Sequence, residues 1–211
     1  QILFDGKLYF VGSDGLFYKY IKYNQELNPV YTGLTSNTTG QSLIEFNNKL
    51  FVSSSKIYTY DTETDTLSGI TGSYYKYGYF MGVLNNYLYY TANGWMYKID
   101  TNDVITEVTS ALSTYYNGIA IGNALYCIKY NGSISKLSGI TMTDNVVESK
   151  SGTIWTTNKI SVLNNNDLFY SIGNVTFKYD ISGNTLSEYE FSSNSMYVFD
   201  DELYVTVINK G

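Results

Sequence analysis

The sequence predicts an all-β chain made of six copies of one small antiparallel sheet, and three observations predict it. The first is a hairpin over residues 85–100. An Asn-Asn turn leads into a strand at 87–91, a short Asn-Gly loop follows, and a second strand at 95–99 ends on Asp100. Asparagine and glycine tolerate positive φ, and tyrosine-rich flanks suit a pleated, half-buried surface. The second observation is that the hairpin recurs. Leu8, Leu50, Leu88, Leu125, Leu168 and Leu203 follow one another at spacings of 42, 38, 37, 43 and 35, each trailed by a ring: Tyr9, Phe51, Tyr89, Tyr126, Phe169 and Tyr204. The third is the company each leucine keeps. Two residues before it stands a turn former (Gly6, Asn48, Asn86, Asn123, Asn166, Asp201). Four before it stands an apolar residue (Phe4, Phe46, Leu84, Ile121, Phe199), with Leu163 five before because its turn carries an extra asparagine. About nine after the first five leucines comes Tyr18, Tyr58, Tyr97, Ile134 or Phe177, and Asp61, Asp100 and Asp180 close three of those strands. A period near 40 made only of strand signals is the signature of propeller blades, since one such sheet cannot bury its own faces.

Each repeat divides into four short strands. In the second they are expected at 42–46, 49–53, 56–60 and 66–70, with Asn47-Asn48 joining the first two and the Asp-Thr-Glu-Thr-Asp run at 61–65 joining the last two. Equivalent blades run over about 1–35, 42–70, 79–109, 117–149 and 158–191, followed by half a blade at 195–208. No linker, charge block or low-complexity segment separates them, so residues 1–211 read as a single propeller domain of five full blades and a partial sixth. Propellers usually close by completing one blade with strands from both termini. Here the chain starts on a first strand. Six positions with a shallow last blade, a five-bladed ring with a trailing hairpin, and a fragment of a longer propeller all remain open, the first being preferred. The start at Gln1, without methionine or signal peptide, reads as a processed or excised piece.

Composition then excludes whole classes of function. Aromatic residues make up 17% and charged residues 15%, with a single proline, which argues for a folded β protein and against disorder. No apolar run approaches the ~18 residues of a membrane span, so no membrane insertion is expected. There is no histidine, all 13 basic residues are lysine, and the one cysteine, Cys127, lies in a strand where it reads as a small buried hydrophobe. A net charge of −6 opposes phosphate binding, and without arginine there are no bidentate forks for base edges, so no nucleic acid partner is expected. Histidine-based nucleophilic catalysis is impossible. Metal sites lose their commonest ligand, and no Asp-x-Asp-x-Asp calcium loop is present, so neither a metal nor a cofactor is expected. A glycosidase needs two acids about 5–10 Å apart. Most of the 19 acids fall in turns, and nothing in the sequence pairs the remainder, Glu45, Asp14, Asp144 and Glu148. Three Asn-x-Ser/Thr sequons, at Asn37, Asn131 and Asn174, are expected by chance in so Asn-rich a chain.

The segments VLNNYLYY and KIYTYDTETDTL resemble kelch repeats in their order of apolar strand, Asn turn, Leu-Tyr strand, Tyr-Asp and Thr-rich turn. Gly12-Ser13, Ser53-Ser54 and Ala92-Asn93 stand where kelch repeats carry a glycine pair. The run LYYTANGWMYKIDTND is similar to the YWTD-like repeats of bacterial cell-surface propellers. The resemblance covers nearly the whole chain. It implies architecture, since propellers host lectins, scaffolds, receptors and enzymes alike.

In a propeller the turns after first and third strands share one face, and the remaining loops share the other. The first face here receives the acidic turns, which read as solvated turn chemistry. The second receives Tyr74-Tyr75-Lys76-Tyr77, Thr114-Tyr115-Tyr116-Asn117, Thr153-Ile154-Trp155-Thr156 and Asn93-Gly94-Trp95. Flat aromatic faces among amides and hydroxyls suit sugar rings, and equally suit a protein surface. The packing alternative is that these rings sit between blades; for Tyr-Tyr pairs it is weaker, because neighbours on one strand alternate faces. The expectation is a non-catalytic module, extracellular or at a cell or virion surface, that binds carbohydrate through Tyr75, Tyr77, Trp95, Tyr116 and Trp155. The alternatives are a protein-docking propeller of a surface or phage protein, and a carboxylate-based glycosidase.

Overall fold

A computed structural model describes residues 1–12, 16–21, 26–31, 42–54, 56–70, 79–92, 95–109, 115–129, 133–139, 141–147, 160–172, 175–189, 193–199 and 202–207. All regular structure among them is β, in two compact units spanning residues 1–113 and 114–211.

The first unit contains three four-stranded antiparallel sheets. They are β1 (Ile2–Phe4), β2 (Lys7–Val11), β3 (Phe17–Ile21) and β4 (Glu26–Tyr31); β5 (Ser42–Phe46), β6 (Lys49–Ser53), β7 (Ile57–Asp61) and β8 (Thr66–Gly69); and β9 (Tyr79–Leu84), β10 (Tyr87–Ala92), β11 (Trp95–Ile99) and β12 (Ile105–Thr109). The second unit contains β13 (Tyr115–Ile121), β14 (Ala124–Lys129), β15 (Ile134–Ser138) and β16 (Thr141–Val147); β17 (Ile160–Leu163), β18 (Asp167–Ile172), β19 (Val175–Asp180) and β20 (Thr185–Tyr189); and a two-stranded sheet, β21 (Ser193–Phe199) with β22 (Glu202–Val207). Every sheet is a meander in chain order. First strands adjoin within each unit, β1 by β5 and β5 by β9, then β13 by β17 and β17 by β21. The Phe80 amide donates to Ser42 Oγ at 3.1 Å across one of these seams.

The repeat leucines set the register. Each pairs with the same place on the first strand: Leu3↔Leu8, Glu45↔Leu50, Val83↔Leu88, Ala120↔Leu125, Val162↔Leu168 and Val198↔Leu203. The turns supply the reason. Asp5-Gly6, Asn47-Asn48 and Asn85-Asn86 hold positive φ at both central residues, the two-residue geometry that matches strand twist. A second positive-φ position ends the turn between third and fourth strands, at Asp65, Asp103, Gly139 and Asn184.

Adjacent sheets within each unit pack face to face, and the second sheet is covered on both faces. Tyr9 and Phe17 of the first sheet pack with Leu50, Val52 and Tyr60 of the second. Phe46, Phe51 and Ile57 of the second pack with Phe80, Leu88, Tyr90 and Tyr97 of the third. In the second unit Tyr126, Ile128 and Ile134 pack with Leu168, Tyr170, Phe177 and Tyr179. Adjacent Tyr89 and Tyr90 are both buried. The tyrosine pair at 74–75, read from the sequence as a loop pair, lies outside the described residues. Cys127 is fully buried, as the sequence suggests.

Candidate functional site

Of the five aromatic residues read as ligand-binding, Tyr75, Tyr77 and Trp155 lie outside the described residues. Trp95, read from the sequence both as the last residue of the 93–95 loop and as the start of a strand at 95–99, is the first residue of β11, paired with Ala92. It is half-buried and packs against the cluster formed by Phe51, Phe80 and Tyr90. Tyr116, also read as a loop residue, belongs to β13, where the register shifts between Tyr115 and Asn117. An early strand start accounts for the difference at Tyr116.

The acidic turns are shaped by their first aspartate. Asp61 Oδ1 accepts the Glu63 amide at 2.8 Å and the Thr64 amide at 3.2 Å. Asp100 Oδ1 accepts the Asn102 and Val104 amides at 2.8 and 2.9 Å. Asp180 Oδ1 accepts the Gly183 and Ser182 amides, both at 2.9 Å, with Asn166 Nδ2 at 3.0 Å. A Cβ at Gly183 would stand 2.8 Å from Asp180 Oδ2, so a larger residue there would make that carboxylate shift.

These bonds favour the charged carboxylate. Asp180 is held down at about 2, by the Gly183 amide first and then by Asn166 and Ser182. Asp61 is lowered by the Glu63 and Thr64 amides. At Asp65 burial pushes upward, but hydrogen bonds from Lys19 and Tyr60 outweigh it and leave the group below its ordinary value. A depressed folded pKa gives stability that is present above the unfolded value, ~3.9, and lost as pH falls through the folded one. Calorimetric midpoints are therefore expected to stay level from neutral pH to about 5, then to fall between about 4 and 2. Asp180→Asn, which keeps the acceptor oxygen, is expected to flatten the lower end of that fall.

Asp65 also links sheets. Lys19 of β3, buried, donates to both its oxygens at 2.6 and 2.5 Å, and the Tyr60 hydroxyl donates to Oδ1. Lys49 of β6 reaches Asp103 of the third sheet at 2.6 Å, and Asn47 Nδ2 donates to the Thr101 carbonyl at 3.1 Å. Opposite the ring that follows each repeat leucine stand Lys19, Thr59, Lys98, Lys136 and Lys178. Lys98 lies 4.1 Å from the Tyr87 ring centroid and Lys136 lies 5.5 Å from that of Tyr126. This lysine column is absent from the sequence reading; counting one residue back from the closing Tyr-Asp or Ile-Asp pairs reaches Thr59, Lys98 and Lys178, whereas Lys19 and Lys136 precede no such pair.

The sequence leaves Glu45 without an acid partner. The structure gives it one, since Glu45 and Asp5 line the same cavity of about 630 Å³ with Leu3, Asn48 and Thr62. Both carboxylates are exposed. Neither therefore has the apolar surroundings that keep a general acid protonated at neutral pH. Asp144 lies in β16, whereas Asp14 and Glu148 fall outside the described residues. Among the described residues no group of three or more acids and cysteines is placed to hold a metal ion, and no helix is long and apolar enough to cross a membrane.

No protein-family model matches the chain, and no curated protein matches it in sequence. Solved structures do resemble it. The extracellular domain assigned to a hybrid two-component system of B. thetaiotaomicron superimposes with a TM-score of 0.78 at 15% identity, covering 98% of this chain and 30% of that one. A catalytically inactive virginiamycin B lyase from Staphylococcus aureus, determined with quinupristin, gives 0.76 at 16% identity, covering 98% and 75%. A chain of a nidogen–laminin complex gives 0.68 at 9% identity, covering 95% and 85%. The chain thus spans less than a third of the first of these proteins. At such identities the likeness establishes the fold alone, and that fold is an all-β propeller of four-stranded antiparallel blades.

Proposed function

We propose that this chain is one propeller domain serving as a non-catalytic recognition module outside the cell or at a cell or virion surface. Its ligand is a carbohydrate, held by Tyr75, Tyr77, Trp95, Tyr116 and Trp155. Trp95 carries the reading. A half-buried indole at a strand start, packed against the core cluster that includes Phe51, Phe80 and Tyr90, gives up less rotamer freedom when a ligand stacks on it. The extracellular placement draws support from the two-component-system domain. The lyase likeness is not carried over as an activity. That enzyme is inactivated by replacing a histidine, and this chain has none. The exposure of Asp5 and Glu45 weighs likewise against a glycosidase.

A glycan array on the wild-type chain, followed by titration of Trp155→Ala and Trp95→Ala, tests this. Each variant is expected to bind a positive glycan about five- to thirtyfold more weakly, since stacking on one ring contributes on the order of 1–2 kcal/mol. Unchanged binding in both removes the site. Because Trp95 also packs on the core, its variant is read only after its melting curve confirms a folded state.

The second reading is a protein-docking module, kelch-like or YWTD-like in its repeats. Leu3 and Val83, at equivalent positions of β1 and β9 on either side of β5, are 69% and 39% exposed, and the nidogen–laminin likeness points the same way. Self-association or partner capture abolished by Leu3→Ser, with an empty glycan array, would favour it.

A further inference from the structure

Five of the six sheets have four strands, and the sixth, β21 with β22, has two. By register β22 is a second strand, since its repeat leucine, Leu203, pairs with Val198 of β21. Second strands of the other sheets have a neighbour on each edge; among the described residues β22 has one, β21. Exposure follows. Leu168 and Tyr170 of β18 are fully buried, whereas Leu203 and Val205 are half-buried and Tyr204 is 40% exposed. A sheet edge is a template for any extended chain, and proteins commonly blunt it with proline or irregular pairing. Fourth strands here are blunted in that way: β4 carries Pro29, and register shifts interrupt the pairing of β4, β12 and β16. β22 has no proline and pairs with β21 without a shift from Glu202 to Thr206.

The complete ladders show what such an edge takes. Opposite the repeat leucine a third strand places Tyr20, Tyr60, Ile99, Leu137 or Tyr179. Opposite the ring that follows it places a lysine in every sheet but the second, where Thr59 stands. Opposite the next residue it places Tyr18, Tyr58, Tyr97 or Phe177, with Ser135 the exception. The fifth sheet shows how the lysine is held. Lys178, paired with Phe169, meets Asp167 at 2.7 Å and lies 5.9 Å from the Phe169 ring centroid. Asp167 and Phe169 flank the repeat leucine Leu168 on one face of β18, and Glu202 and Tyr204 flank Leu203 in the same way. The Tyr204 hydroxyl donates to Glu202 Oε2 at 3.2 Å, so carboxylate and ring already stand together. Glu202 is exposed and meets no lysine among the described residues.

We infer that β22 receives an extended, antiparallel segment of another protein that reads aromatic, lysine, then tyrosine or a large aliphatic residue. Its lysine stands opposite Tyr204 with the ammonium on Glu202, and main-chain hydrogen bonds along the edge supply the remaining affinity, as in strand addition generally. The described third strands of this chain are each paired within their own sheets, so none of them fills the place. A second copy docking through its own β22 brings no lysine, since residues 202–207 contain none. The surface lies wholly on β22 and stands independently of the aromatic site proposed above.

The probe is a synthetic peptide with the sequence of residues 175–189, which carries Phe177-Lys178-Tyr179 and the strand that follows, labelled for fluorescence anisotropy and titrated with the whole protein chain. Saturable binding is expected, with Kd on the order of 100 µM and weakening with salt. Hydrogen exchange at saturation should slow at residues 202–207 and stay unchanged in β6, β10, β14 and β18. The peptide carrying Lys178→Glu should bind about fivefold more weakly, the size of one exposed charged contact. Glu202→Lys in the protein should weaken the original peptide to the same extent and restore the Lys178→Glu peptide. The peptide variant cannot unfold the protein, so it decides the matter if Glu202→Lys does not fold. Absence of saturable binding up to about 0.5 mM protein, equal binding of the Lys178→Glu peptide, or slowed exchange elsewhere than β22 would overturn the inference. So would light scattering that shows a dimer with β22 already protected, which assigns the edge to a second copy.

Discussion

Replacing Asp65 with alanine is expected to destabilise the chain by about 3 kcal/mol, because it leaves the Lys19 ammonium without its counter-charge. The Lys19 side chain is only 10% exposed, and both its described hydrogen bonds go to Asp65. The Tyr60 hydroxyl would lose its acceptor at the same time. Asp65 is itself half-exposed, so water can enter from its side, which places the expectation at the low end of the range for breaking a buried pair. For a chain of this size the calorimetric midpoint should fall by about 9 °C. Adding Lys19→Met should recover most of the loss, since removing both charges leaves an apolar contact in place of an uncompensated ion. If Lys19→Met and Asp65→Ala instead act additively, the seam is not held by this pair.

Leu88→Ala is expected to be as damaging, at about 3 kcal/mol, and Leu125→Ala likewise. Both leucines are fully buried on middle strands packed on both faces, so truncation leaves a cavity that neighbouring sheets cannot close. Leu8 occupies the same register position on the first sheet but is half-buried, and Leu8→Ala should cost only about 1 kcal/mol. Urea unfolding measures the series. The ordering Leu88 and Leu125 far above Leu8, at unchanged denaturant slope, is the expected outcome. Equal losses at all three would mean that burial does not control the repeat leucine.

The architecture was legible because the repeat is carried by residues whose physics is local. Asn47-Asn48 and Asn85-Asn86 take positive φ, the leucine follows two residues later, and strands at 42–46, 49–53 and 95–99 stand where the pattern predicts them. Loops were read less well. Tyr116 belongs to a strand, because polar composition marks exposure and not the point at which pairing begins. The ion pair of Lys19 with Asp65 joins residues 46 positions apart, and the cavity lined by both Asp5 and Glu45 joins residues 40 apart. No local pattern encodes such contacts. They become visible only when the repeats are stacked, column upon column.

Every hydrogen-bonded ladder described here joins strands that are consecutive along the chain. Few β folds have that property, and it bears on how this one forms. Loop-closure entropy is small for each pairing, so contact order is low for an all-β chain and no ladder has to wait for a distant partner. Each meander can nucleate by itself, and the seams between meanders then select which nuclei persist. Cooperativity in such a chain runs from neighbour to neighbour, as in a one-dimensional lattice.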